Sequence, residues 1–183
     1  LVTPLVTIGV GATLAALCAP PLGKLAMQTG TVIMWATELQ PFLMGILVSV
    51  FFGIALTLPI SSAAICAALG LTGLAGGAAV AGCSAQMIGF AVQSYRENGV
   101  GGLLSQGLGT SMLQMPNIVR NPRIWIGPIF ASAITGPLAT CVFKLRMDGA
   151  AVSSGMGTCG LVGQIGVFTG WISCLLYTSD AAD

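Results

Sequence analysis

The sequence predicts an all-α protein, a polytopic transmembrane helical bundle that contains broken or re-entrant helices. Of its 183 residues, 55% are hydrophobic and 6% are charged, whereas about a quarter of the residues in an ordinary soluble domain are charged. The mean hydropathy of +0.95 indicates the same environment. Long uncharged stretches supply the spans, and the glycines and prolines inside those stretches predict the breaks.

The N-terminal part of the chain begins with an apolar stretch and continues with a mixed one. Residues 1–19 carry no charge, and this length is close to the ~20 residues that a helix needs to cross a ~30 Å hydrocarbon core. Residues 22–41 mix polar and apolar side chains, which is typical of an interfacial helix with Trp35 among the lipid headgroups. Alternatively, Glu38 and Gln40 lead polar groups into a cavity.

The next two segments differ in length. Residues 42–60 are predicted to form a transmembrane helix that ends near Pro59. Residues 61–94 contain no charge, and one straight helix of this length would measure roughly 51 Å, longer than the bilayer is thick. We therefore expect this segment to break at its glycines. The Gly73 and Gly77 pair has the GxxxG spacing that favours close helix packing.

The C-terminal part predicts one complete span and the start of another. Residues 124–143 form a 20-residue apolar segment with Pro128 and Pro137 inside it, which neighbouring helices can accommodate in a membrane. Residues 149–160 are rich in small side chains and are expected to form a flexible segment. Residues 161–173 are predicted to begin a further helix.

The two ends of the chain are unusual. The first residue is not Met, and the final ten residues, 174–183, have the sequence CLLYTSDAAD. This tail resembles the translation of a sequencing adapter, so it is excluded from the fold interpretation. Residues 1–173 are accordingly predicted to be a fragment of one integral membrane domain.

The segment with the strongest functional signal is residues 94–124. Charged residues flank an uncharged centre that contains five glycines and two glutamines, and two prolines limit any helix there. Irregular backbone at membrane depth is tolerated only where protein or a wet cavity surrounds it. The segment therefore predicts a re-entrant element or broken helix beside a polar site near the middle of the bilayer. Its polar residues include Arg96, Glu97, Asn98, Gln106, Gln114, Asn117, Arg120 and Arg123.

The sequence contains no motif that is typical of catalysis or of metal binding. The sequence has no His, no nucleophile elbow and no phosphate-binding GxxxxGK[ST] loop. Its six Cys form no CxxC pair, and the five that precede the excluded tail are interpreted as small packing residues. No catalytic residue, metal site or cofactor is therefore predicted.

The remaining ionisable and amide side chains are the candidate binding residues, because such groups are rare and often functional inside membranes. Glu97, Asn98, Gln106 and Gln114 are predicted to bind solute hydroxyl groups, which pair well with carboxylate and amide atoms. Glu38 and Gln40 are expected to face the same cavity, with Arg120 or Arg123 near an anionic partner. Structural alternatives stay open: an ion pair between Glu97 and an arginine, solvation of Glu38 among headgroups, and membrane anchoring by the arginines.

Four stretches of the chain resemble the EIIC-like sugar permeases of the phosphotransferase system. The match is most specific between YRENG and NPRIW. The stretches are MWATELQPFLMGILVSV (34–50), LTLPISSAAI (56–65), QMIGFAVQSYRENGVGGLLSQGLGTSMLQMPNIVRNPRIWIGP (86–128) and GMGTCGLVGQIGVFTG (155–170).

The resemblance implies a multi-pass permease of the bacterial inner membrane. Such a component moves a sugar while EIIA and EIIB partners deliver phosphate relayed from phosphoenolpyruvate through HPr, so any phosphotransferase activity belongs to the whole complex. It also implies a homodimer in the lipid bilayer, no nucleic-acid partner, and Arg120 and Arg123 on the side of the phosphoryl donor. Better-studied members bind sugar with a Glu in a re-entrant hairpin and a His. Glu97 is a candidate for the first, and this chain has no His.

Two other functions are compatible with the same sequence. A channel or ion-coupled transporter of a non-sugar solute would line a pore with the same broken segment and select cations with its carboxylates. A membrane sensor would transport nothing.

Overall fold

The computed structural model describes residues 24, 28 and 31–180, and this part of the chain is helical without a named strand. It confirms the all-α prediction. The helices are α1 (31–39), α2 (Pro41–Thr57), α3 (Ser62–Leu69), α4 (Gly73–Leu104), α5 (Met115–Arg120), α6 (Ile126–Pro137), α7 (Ala151–Ser154) and α8 (Val162–Asp180). Short π-helical turns cover Ser105–Gly109 and Leu138–Val142, and 3-10 turns cover Ser111–Gln114, Pro122–Trp125 and Cys159–Leu161.

The helices α2, α4 and α6 pack against one another and form the centre of the bundle. Helix α2 runs parallel to α4, because Ser49 lies against Gly82 and Gly53 lies against Gln86 four residues further along both helices. A Cβ at position 82 would overlap the backbone of Ser49, so the two helices can approach this closely only because residue 82 is glycine. The pair is therefore built on a residue without a side chain.

Helix α6 runs antiparallel to the other two. Its residue Gly136 lies against Gly45 near the start of α2, and Pro128 lies against Gly89 late in α4. The hydroxyl of Thr140, in the π-helical turn after α6, donates to the carbonyl of Pro41 at 2.7 Å. The segment predicted over residues 124–143 is thus observed as Pro122–Val142, and both of its internal prolines lie in the helix.

The faces along which α2 and α6 meet carry small or polar side chains, and large apolar side chains cover their outer faces. On α2 the buried residues include Gly45, Ser49, Gly53 and Thr57, and the exposed ones include Phe42, Leu43, Leu47 and Phe51. On the stretch around α6, Ser132, Gly136 and Thr140 are buried, and Phe130, Ile134, Leu138 and Val142 are exposed. This distribution is typical of helices that associate within lipid.

The long uncharged segment 61–94 breaks near its first glycines, as its length predicts. Helix α3 ends at Gly70, whose φ of 61° is left-handed, and α4 begins at Gly73 with a φ of 63°. The GxxxG pair does not join two helices: one of its glycines packs closely against the non-helical segment that follows residue 143, and the other does not. Gly77 lies tightly against Leu145, whereas open space surrounds the Cβ position of Gly73.

Helix α4 reverses direction at Gly99, where φ is 58° and ψ is −147°. Beyond this residue the chain doubles back, so that Gly102 lies against Ser94 and Gly107 against Ala91. In a straight helix, positions 91 and 107 would be roughly 24 Å apart. Residues 73–98 and 100–109 therefore form a helical hairpin.

A second hairpin approaches the first from the opposite end of the bundle. It starts at Met147, which pairs with Gly73 through two backbone hydrogen bonds. The hydroxyl of Thr158 then donates to the carbonyl of Gly107 on the first hairpin. Helix α8 forms the returning arm of this hairpin and runs along its incoming arm, with Gly170 against Gly149.

This second hairpin corrects the expectation that residues 149–160 are flexible. Ser153, Ser154, Gly155, Gly157 and Thr158 are buried, and the backbone of Gly157 lies against that of Cys83. Small side chains serve close packing here, because only they fit between α3, α4 and the returning hairpin.

Two helical stretches, Gly73–Gly109 and Pro122–Val142, are long and apolar enough by length and composition to cross a membrane. The straight arm of the first, residues 73–98, measures about 39 Å at 1.5 Å per residue. Helix α2 and the stretch Cys159–Ser173 are apolar but shorter. The predicted span over residues 1–19 lies outside the described residues.

Candidate functional site

A polar groove of about 500 Å³ lies between the end of the first arm of α4 and helix α5. We call it the polar groove throughout. Eight of its nine lining side chains are polar, in a chain that is 55% hydrophobic. They are Gln93, Ser94, Glu97, Asn98, Gln114, Asn117, Arg120 and Asn121, with Ile124 as the apolar member.

The groove has two walls because the chain turns twice. The wall on α4 consists of residues 93–98, which precede the reversal at Gly99. After the returning arm, Thr110 adopts an extended conformation and the chain turns again into Ser111–Gln114 and α5. Pro116 occupies the first turn of α5, where its missing N–H has no intrahelical partner to lose. The second wall therefore consists of residues 114–121.

Hydrogen bonds fix four of the amide side chains in the groove. Asn98 Nδ2 donates to Ser94 Oγ at 2.9 Å, and Asn117 Nδ2 donates to Gln114 Oε1 at 2.9 Å. Asn121 Oδ1 accepts the backbone N–H of Arg123 at 3.4 Å and so begins the next 3-10 turn. Each bond holds one end of an amide and leaves its other end for a ligand.

The two charged groups of the groove stand on opposite walls. Glu97 is on the α4 wall and Arg120 is on the α5 wall, and both are exposed. Across the part of the chain that the structure describes, no ion pair joins Glu97 to Arg96, Arg120 or Arg123. The geometry therefore does not support the alternative in which Glu97 is simply the partner of an arginine.

The structure brings together half of the eight predicted site residues: Glu97, Asn98, Gln114 and Arg120 all line the groove. Gln106 does not line it. Gln106 is 5% exposed on the returning arm, and its Oε1 has no hydrogen-bond partner among the described residues. Arg123 is exposed beyond the end of α5 and outside the groove.

Glu38 and Gln40 lie far from the groove, which corrects the expectation that they face the same cavity. Both are exposed next to the start of α2, where Thr140 binds the carbonyl of Pro41. The groove lies beyond the other end of α2, and this 17-residue helix is about 26 Å long. The helix therefore separates the two sets of residues.

The structure also gives the position of the groove along the helices. Gln93 is 20 residues along α4 from Gly73, which corresponds to about 30 Å. The groove consequently lies at the end of the bundle where α6 begins, and not halfway along the helices. Its Gln93 side chain lies against Gly127 in the first turn of α6.

Sequence reasoning missed several polar residues. Gln93 and Ser94 line the groove because they lie about one helical turn before Glu97 and Asn98, a spacing that the sequence displays. Gln86 is fully buried within α4 against Gly53, and neither of its amide atoms has a partner among the described residues. Its signal was an amide side chain inside a 34-residue uncharged run.

Comparison with known proteins gives one result. Residues 1–180 match the family model described as Phosphotransferase system, EIIC. No curated protein and no solved structure matches the chain. The family match covers almost the whole sequence and agrees with the resemblance found in its motifs. The chain therefore belongs to the phosphotransferase system EIIC family.

Proposed function

We propose that the chain is the sugar-translocating membrane component of a phosphoenolpyruvate-dependent phosphotransferase system. It would act in the bacterial inner membrane, as a homodimer, with EIIA and EIIB components as its phosphoryl donors. The observation that carries the proposal is the polar groove, because seven of its nine lining side chains are amide or charged, in a chain that is 55% hydrophobic and 6% charged. Its volume of about 500 Å³ is within the ~300–1,000 Å³ that is typical of small-molecule pockets.

The groove residues suit a sugar by their hydrogen-bonding capacity. Glu97 can accept hydrogen bonds from hydroxyl groups, and Gln114 can donate hydrogen bonds from its Nε2. Asn98 and Asn117 offer amide atoms on opposite walls. Gln114 is only 7% exposed. A bond to it is therefore made in partly dry surroundings, where a correct partner is worth more than in water.

The position of the groove suits a partnership with soluble proteins. It lies at one end of the bundle, and Arg96, Arg120 and Arg123 are exposed at the same end. We propose that this end faces the cytoplasm, where a phosphorylated EIIB docks. The chemical step takes place on the partner and the sugar, so the role of this chain is to bind and orient the hydroxyl that accepts the phosphoryl group.

The test is phosphoenolpyruvate-dependent phosphorylation of a panel of hexoses and hexitols by the reconstituted protein with HPr, EIIA and EIIB. Glu97→Gln should lower phosphorylation of the accepted sugar at least ~10-fold, because a hydrogen bond to a charged group contributes about 1.5–3 kcal/mol. Glu38→Gln is the matched control, since it makes the same change at the other end of α2 and should leave the rate unchanged.

Two results would contradict the proposal. Equal rates for the Glu97→Gln and Glu38→Gln proteins would remove Glu97 from the site. Solute flux into proteoliposomes without EIIA and EIIB, with no sugar phosphorylated in their presence, would instead support a channel or ion-coupled transporter.

A further inference from the structure

We infer that the polar groove selects a polyhydroxylated ligand that also carries an anionic group, with its hydroxyls toward α4 and its anion on Arg120. This inference rests on the proposed function and narrows its ligand class. It follows from the unequal hydrogen-bonding character of the two walls.

The α4 wall presents mainly acceptors beside the reversal at Gly99, and the amide of Gln93, which can both donate and accept, lines the other end of this wall. The amino group of Asn98 is held by Ser94 Oγ at 2.9 Å, so the atom that Asn98 leaves for a ligand is its carbonyl oxygen. Glu97 adds a carboxylate, whose oxygens accept hydrogen bonds. This wall therefore matches the O–H groups of a polyol and repels an oxyanion.

The α5 wall presents mainly donors. The carbonyl oxygen of Gln114 accepts from Asn117 Nδ2 at 2.9 Å, and that of Asn121 accepts the N–H of Arg123. The amino groups of Gln114 and Asn121 thus remain for a ligand. Arg120 adds a guanidinium with five N–H donors and no acceptor. Asn117 retains one acceptor oxygen, so this wall matches an oxyanion that is flanked by hydroxyl groups.

Charge then fixes the orientation of the ligand. Glu97 and Arg120 line the same groove, yet no ion pair joins them among the described residues. The arginine is therefore available for a ligand anion. Its planar guanidinium group favours bidentate binding of carboxylate or phosphate. Two of the flanking side chains, Ser94 at 4% and Gln114 at 7% exposed, are more than nine-tenths buried, so the site is partly shielded from water.

The experiment is equilibrium binding measured by tryptophan fluorescence. Trp35→Phe and Trp171→Phe leave Trp125, which adjoins the groove residue Ile124, as the only tryptophan. Glucose, mannose and galactose are each compared with the corresponding hexonate and 6-phosphate, and inorganic phosphate is titrated alone. We expect at least one anionic form to bind ~10-fold or more tightly than its neutral parent.

The arginine variants identify the source of that preference. Arg120→Gln should reduce the preference to about twofold or less, and Arg120→Lys should retain part of it because the charge remains. Arg123→Gln, a matched change just outside the groove, should keep the full preference. Tighter binding of the hexonate indicates a sugar acid that is taken up, whereas tighter binding of the 6-phosphate indicates the product of phosphoryl transfer.

Three results would overturn the inference. Equal binding of neutral and anionic forms would do so and would leave the sugar permease proposal standing. Binding of inorganic phosphate as tightly as the sugar phosphate would show a simple anion site. Binding of none of the sugars, together with no sugar phosphorylation in the complete system, would overturn both proposals.

Discussion

The contact between α2, α4 and α6 and the polar groove both contain polar side chains, and they use them differently. In the helix contact, hydroxyl groups donate to backbone carbonyls: Ser49 to Ser132 at 2.7 Å and Thr140 to Pro41 at 2.7 Å. Hydroxyls of this kind are satisfied within the protein. In the groove, Asn98 donates to the hydroxyl of Ser94 and Asn117 donates to the amide of Gln114, each through one end of its amide. The other ends of these amides remain for a ligand.

This difference separates residues that determine stability from residues that determine binding. Polar groups that bond internally hold helices together without offering anything to a solute. Removing a polar group whose hydrogen-bonding capacity is half unused costs the ligand-free protein little stability. It costs the ligand complex more, because the bond to the ligand is also lost. Substitutions in the two regions should therefore affect different measurements.

The largest expected effect is in the helix contact. In Gly82→Ala the added Cβ overlaps the backbone of Ser49, which cannot move without separating α2 from α4. We expect the free energy of unfolding to fall by roughly 3 kcal/mol, the upper part of the range for overpacking. Thermal unfolding in detergent micelles measures it. Gly101→Ala is the control, since nothing lies within 4 Å of its Cβ position, and an equal loss in both variants would contradict the prediction.

Gly99→Ala tests the reversal that forms the groove. The φ of 58° and ψ of −147° belong to a region that glycine alone adopts readily. We expect a loss of about 2 kcal/mol in unfolding free energy. We also expect weaker ligand binding in the fluorescence titration, because the α4 wall would change its angle. Unchanged binding with unchanged stability would show that the reversal does not depend on glycine.

Gln86→Met tests whether the buried amide of Gln86 only fills space in the helix contact or forms hydrogen bonds in another state of the protein. Neither amide atom of Gln86 has a partner among the described residues, so a side chain of similar volume without polar atoms should raise the unfolding free energy by about 1 kcal/mol. Gln164→Met is the comparison and should lower stability, because Gln164 Nε2 donates to Ser84 Oγ at 3.1 Å. A loss of stability in Gln86→Met would indicate that water or a solute pairs with the amide.

The smallest effect on stability is expected from Asn117→Ala in the groove. The exposed side chain contributes less than about 0.5 kcal/mol to folding. Its hydrogen bond orients Gln114, and losing it should weaken ligand binding ~5-fold, which corresponds to about 1 kcal/mol. A double-mutant cycle with Gln114→Ala should be non-additive. Additive losses in binding would show that the two amides act separately.

Local chemistry made the helical fold and half of the site predictable. The length of the uncharged run 61–94 required a break, and glycine, which accepts positive φ, supplied it at Gly70. Gln106 and Gln114 are buried in the segment whose irregular backbone predicted shelter by protein or by a wet cavity. Glu97 and Gln114 were brought together because both belong to a single segment that turns back on itself.

The remaining features depend on contacts that span long stretches of sequence. Glu38 was grouped with Glu97 because both are carboxylates in apolar surroundings, and only the parallel packing of α2 and α4 shows that they lie at opposite ends. The segment 149–160 was expected to be flexible because its composition permits flexibility. Its burial depends on partners more than 80 residues away, such as the carbonyl of Leu71, which accepts from Ser154.

The parallel course of α2 and α4 has a consequence for the order in which the protein can be assembled. The chain must travel back between these helices, and the eight-residue α3, about 12 Å long, covers only part of that distance. Hydrogen bonds that seal the two ends of α3 involve the second hairpin. Ser154 donates to Leu71, and Ser62 donates to Gly155, at sequence separations of 83 and 93 residues. During synthesis these hydrogen bonds at the two ends of α3 therefore cannot form until residue 155 has been synthesised. Until then, the insertion machinery must shield the polar groups at the ends of α3 from lipid.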